Sequence, residues 1–287
     1  MKFEVKKVFM VLPLVAALAA CGGGGGDDAG TAVNTNQGTG GATNGGGATG
    51  GTTTGGTDGA TSAVGKVEEP FLKITTLRYL MVGASLQTSG TVTAWEQLPA
   101  GGVVTINGNT LTGADRSVVN IAGDETWGQG RWAKGTAVAG GGSSVLGTAR
   151  NDAYHYVVYN APTALPASGQ LSCDGGQFTA PNVLNAASGD AFGTATGTAA
   201  LSFNNGVASV DVSIATTAGS RKPTVSTTGT SIKLDSTTIT GAFFAQGDGL
   251  MLTLGDAGNG KFRIVAAYQA SASGASYRGV ASFLCKR

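Results

Sequence analysis

From residue 66 to the end, apolar side chains recur at every second position, with clusters of Gly, Asn and Asp between the runs. That alternation predicts half-buried β-strands joined by turns, and no stretch carries the three-to-four spacing of a helix. The clearest pair is a hairpin. Ala199, Leu201 and Phe203 share one face, Asn205-Gly206 supplies the turn, and Ala208, Val210, Val212 and Ile214 share a face of the returning strand, with Asp211 on the opposite side. The pattern repeats in Leu250, Leu252 and Leu254, a turn over 256–260, and then Phe262, Ile264, Ala266 and Tyr268, with Lys261 and Arg263 facing away. A last strand alternates through Tyr277, Gly279, Ala281, Phe283 and Cys285. Shorter candidates at 169–173, 232–234 and 238–244 bring residues 164–287 to about eight strands, the number of a small up-and-down barrel whose closure removes exposed edges.

Residues 66–163 read as a separate β-rich domain. Strand candidates fall at 71–82, 91–95, 103–111 (broken by the turn pair Asn107-Gly108), 118–121, 131–138 and 154–159. A turn-rich loop holds Gly123, Asp124 and Gly128, and the triplet Gly140 to Gly142 predicts a mobile loop. The fold class expected is therefore all-β, in two parts.

The first 65 residues follow other rules. Lys2, Lys6 and Lys7 precede a 13-residue apolar run, 8–20, that contains Pro13. A membrane-spanning helix needs about 20 such residues, so the run is expected to be a signal peptide, 1–20. Its end, Leu18-Ala19-Ala20-Cys21, resembles the bacterial lipobox. The resemblance implies cleavage before Cys21, acylation of that cysteine by enough chains to hold a membrane, and outer-membrane lipid as a partner. The residues after Cys21 are glycines rather than aspartate, which by analogy with enterobacterial sorting favours the outer membrane. From there to residue 65 the chain is mostly Gly, Thr, Ala, Asn and Asp, without an aromatic, Leu, Ile or Met, so 21–65 is expected to be a disordered tether. Its typical span would be roughly 35 to 40 Å.

Composition narrows the function classes. Removing the signal takes away three Lys and one Glu and moves the formal charge from +1 to −1. Such a chain has no electrostatic case for nucleic acid. With Cys21 acylated, Cys173 and Cys285 remain, one in the first strand of the barrel half and one in the last. Outside the cytoplasm two thiols usually pair, and these two strands adjoin if the sheet closes, so a disulfide clasp on the barrel seam is expected, with two buried free thiols as the alternative.

Chemistry-bearing residues are sparse. His155 is the only histidine, which excludes a histidine metal cluster. It alternates with Tyr154 and Tyr156 in a strand, where a structural role is expected and haem ligation by His155 or a neighbouring tyrosine is the alternative. The glycine strings lack the Lys-Ser or Lys-Thr of a phosphate loop, and no two carboxylates have the spacing of a glycosidase pair. No catalytic constellation and no cofactor is expected. Trp127, Arg131 and Trp132 are the candidate binding residues, since Trp and Arg are enriched among interface hot spots. If the loop to Gly130 is exposed they can anchor a partner; otherwise Arg131 stacks on a tryptophan inside the fold and the group pins the two parts together.

Several stretches resemble transferrin-binding protein B-like lipoproteins. Leu165-Pro-Ala-Ser-Gly169, Phe192-Gly-Thr-Ala-Thr-Gly-Thr-Ala-Ala-Leu201 and Ile239-Thr-Gly-Ala-Phe-Phe244 are similar to the barrel signature of that family. Trp127-Gly-Gln-Gly-Arg-Trp132, His155-Tyr-Val-Val158 and Ala161-Pro-Thr163 are similar to the segment that precedes such barrels. The resemblance covers roughly 120–287 and implies a handle domain, 66–163, followed by an eight-stranded barrel, 164–287. It implies a surface-exposed, non-enzymatic lipoprotein that captures a host or environmental protein, or an iron or haem carrier, through loops. The chain departs from the pattern in having Cys173 where an aromatic is expected and one lobe rather than two, which argues against transferrin itself. A periplasm-facing structural or envelope-assembly lipoprotein without a soluble ligand is the alternative expectation.

Overall fold

The computed structural model describes residues 76–83, 86–147, 152–184, 192–245 and 247–287. Cys21, the segments 1–20 and 21–65, and the start of the first strand candidate lie outside the described residues. Two antiparallel sheets in one compact unit dominate the rest. Among the described residues there is no α-helix, only a 3-10 turn at Phe243–Ala245.

The first sheet contains β1 (Leu77–Val82), β2 (Gln87–Thr91), β3 (Trp95–Gln97), β4 (Val103–Ile106), β5 (Asn109–Asp124), β6 (Trp127–Ala139), β7 (Gly142–Leu146) and β8 (Tyr154–Asn160). Its order is β2-β1-β8-β6-β5-β4-β3, with β7 paired to the distal half of β6. Three register shifts in β5, one of them around Asn120 at φ 55°, bend the sheet into a half-barrel. Inside it Trp132 donates from Nε1 to Val103 O at 2.7 Å, and the Tyr156 hydroxyl accepts from Val103 N at 2.8 Å. Gly130 is required there, because a Cβ would collide with the Tyr156 ring.

Three sequence expectations need correction in this half. Residues 91–95 are not a strand: β2 stops at Thr91 and β3 starts at Trp95. Asn107 is the cause, since its Oδ1 accepts from the backbone N–H groups of Thr93 and Ala94 and so diverts the segment from ladder pairing. Gly140 to Gly142 is no mobile loop but a tight hairpin turn, with Gly140 at φ 61° and Gly141 at φ 79° while Gly142 already pairs with Ala139. The expected loop around Gly123 to Gly128 shrinks to Glu125-Thr126, with Asp124 Oδ1 accepting from Thr126 N at 2.8 Å.

The second sheet contains β9 (Ser168–Cys173), β10 (Gln177–Phe178), β11 (Asn182–Val183), β12 (Thr194–Asn204), β13 (Val207–Thr217), β14 (Thr224–Ile232), β15 (Thr238–Gly241), β16 (Gly249–Asp256), β17 (Phe262–Ala272) and β18 (Ala275–Lys286). Eight of them follow the order β14-β13-β12-β9-β18-β17-β16-β15 and curl into a nearly closed barrel, while β10 and β11 continue the lane of β9 along β18. The all-β expectation holds. So does the Asn205-Gly206 hairpin, with φ of 50° and 73° and full pairing from Asn204 to Thr194. Cys173 and Cys285 face each other across β9 and β18 and form a disulfide. The open edges, however, are β14 and β15, so the disulfide clasps chain ends that already pair and does not close the remaining gap. The candidate at 232–234 was misplaced: the strand is β14, ending at Ile232, and Leu234 lies 40% exposed in the following turn.

The interior of this barrel is filled by the predicted alternating set, including Leu201, Val210, Ile214, Leu252, Ile264 and Phe283. β12 to β14 bury only that face. β16 to β18 are buried on both, because their outer residues Met251, Val265, Ala267 and Val280 join the core of the first sheet. The half-barrel therefore sits on the outside of β16 to β18. Fully burying a Met or Val side chain contributes about 1.5 to 3 kcal/mol, so Met251, Val265 and Val280 alone hold the sheets together substantially.

Candidate functional site

Four residues singled out from the sequence lie on β6 and β8, and all four are buried: Trp127 at 4% exposure, Arg131 at 8%, Trp132 and His155 at 0%. The exposure on which the surface-anchor expectation depended is absent. Alternation explains the placement. Trp127, Gln129 and Arg131 project from one face of β6 toward the second sheet, whereas Trp132 points into the half-barrel, where its ring lies 6.0 Å from that of Tyr154.

In the crevice between the sheets, three arginines each lie over an aromatic ring. Arg131 sits 4.0 Å from the centroid of Phe192, Arg263 4.1 Å from Trp127 and Arg278 5.7 Å from Phe243. The expected stack of Arg131 on a tryptophan is thus corrected, since Trp127 receives Arg263 from β17 instead. Arg263 Nη2 also meets Asp124 Oδ2 at 3.3 Å. Arg278 donates to Gly83 O at 2.5 Å and to Gln269 Oε1 at 2.6 and 3.2 Å. Burial pulls all three guanidinium pKa values down to about 10, offset for Arg263 by Asp124 and then Asp174. Each remains a cation at neutral pH.

His155 completes the crevice. Its Nε2 lies 2.8 Å from Asn182 Oδ1 and its Nδ1 2.7 Å from Thr179 Oγ1. An amide oxygen can only accept, so the hydrogen sits on Nε2 and Nδ1 accepts from the Thr179 hydroxyl. Burial, then the charge of Arg131, lowers the imidazole pKa to about 3, against the raising effect of the Asn182 bond; Arg278 lowers it further. With both nitrogens engaged inside the protein, ligation of a haem iron would require dismantling this network. The structural expectation for His155 fits the geometry.

Sequence reasoning did not single out Asn120, Phe192, Thr179, Asn182, Arg278 or Gln269. Asn120 Oδ1 accepts from both Arg131 Nε and Ala180 N at 3.0 Å, tying β6 to the segment before β11. A signal was present: Met251, Val265, Ala267 and Val280 are apolar at positions that a solvated barrel face would make polar.

Outside the crevice, a shallow groove of about 330 Å³ lies on the outer face of β12 to β14, lined by Thr198, Ala200, Asp211, Ser213, Ser226 and Thr228. Its floor is made by the bulge between Val210 and Val212, where Asp211 Oδ1 accepts from Gly229 N at 2.7 Å. Among the described residues no group of three His, Cys, Asp or Glu side chains converges as for a metal ion. No family model matches the chain, and no curated protein does so either.

Proposed function

We propose that this chain is a lipid-anchored, non-enzymatic binding lipoprotein of the outer membrane or cell surface, of the transferrin-binding protein B-like type, with the half-barrel as handle. The observation that carries the reading is the solid barrel: its interior is filled by apolar side chains, so recognition falls to the outer surface and the loops. A ligand-carrying barrel would keep a central cavity, and an enzyme would keep convergent polar groups in a cleft. The handle is fixed to the barrel by buried cations and apolar contacts, which suits a rigid body presented at the end of the Gly- and Thr-rich stretch after Cys21. Exposed Phe244, at 56%, and Ile239, at 39%, flank the barrel edge that such recognition would use.

The test is protease shaving of intact cells with a permeabilised control, together with labelling by a membrane-impermeant amine reagent, for which Lys134, Lys222 and Lys233 are exposed. Cleavage and labelling on whole cells are expected. Reaction only after permeabilisation sinks the surface reading and turns the proposal to the periplasm-facing structural alternative. Loss of membrane retention in Cys21→Ser checks the anchor separately.

A further inference from the structure

We draw no further inference here: the strongest candidate, the shallow groove on the outer face of β12 to β14 between Thr198, Asp211 and Thr228, is walled by small hydroxyl side chains and a carboxylate that already accepts from Gly229 N, and nothing in the structure shows what covers it.

Discussion

His155 offers a stability test that needs no knowledge of a ligand. On folding, its imidazole pKa falls from the ordinary 6.5 to about 3, chiefly through burial and then through Arg131. The unfolded chain therefore binds the proton more readily than the folded one. Stability from this group is complete above pH 6.5 and declines as pH falls, by about 1.4 kcal/mol per unit, until the folded pKa is reached. Between pH 7 and pH 5 the loss amounts to about 2 kcal/mol, before most carboxylates begin to titrate. Urea unfolding at the two pH values, followed by fluorescence of the buried tryptophans, measures it in the protein and in His155→Gln. The variant is less stable at pH 7, because Thr179 and Asn182 lose their partner, but it lacks the titration. The gap between the two proteins should then narrow by about 2 kcal/mol at pH 5. Since His155 is the single histidine, its ring-proton signal can be followed without ambiguity and should not titrate between pH 8 and 5. A gap that stays constant with pH, or an imidazole titrating near 6.5 in the folded protein, refutes the buried neutral ring.

Other substitutions probe the packing directly. Gly279→Ala places a Cβ 2.6 Å from the Tyr268 hydroxyl, whose ring lies across the glycine, and should cost about 1 to 3 kcal/mol in urea unfolding; a neutral result would mean that the ring is free to move. Trp132→Phe removes the 2.7 Å bond to Val103 O and leaves that buried carbonyl short of a donor, a loss of about 1 to 3 kcal/mol visible as a lower Tm. Reducing the disulfide between Cys173 and Cys285, 112 positions apart, should lower stability by up to about 4 to 5 kcal/mol without loss of the β signal in circular dichroism, because the two cysteines also pair through the β9–β18 ladder.

The hairpins were legible because their turns demand particular residues. Asn205-Gly206 occupies two left-handed positions that few other pairs adopt easily, and the alternating flanks leave one register, in which Leu201 pairs with Val210 and both side chains face the core. The disulfide was legible from the cysteine count and the places of Cys173 and Cys285 in the first and last strands of the second half, although the place where the barrel stays open was not. β14 was read in the wrong place because only Val225 and Ile232 mark its inner face, and Ser, Thr and Gly229 fill the rest of Thr224–Ile232. Hydroxyl side chains on a solvated sheet resemble a linker in composition, so alternation has too few apolar positions to register there. Residues 91–95 failed for the opposite reason: the alternation was present, but one distant side chain, Asn107, took the backbone donors that a strand would have used.

The crevice was hidden by an assumption built into the alternation rule. Opposite each inward residue the rule assigns solvent, so Arg263 read as a surface charge beside Lys261. On β17 the same outer face also carries Val265, Ala267 and Gln269, all buried. A face that mixes arginine with small apolar residues is poorly suited to water and equally unsuited to a dry core. Aromatic rings resolve the conflict, because their apolar bodies continue the packing while their negative faces meet the cation. Trp127, Phe192 and Phe243 each do this for one arginine, and Phe243 lies just beyond the edge strand β15. Arginine and aromatic residues on separate segments of the chain therefore define the junction together, and neither is informative until the sheets are laid against each other.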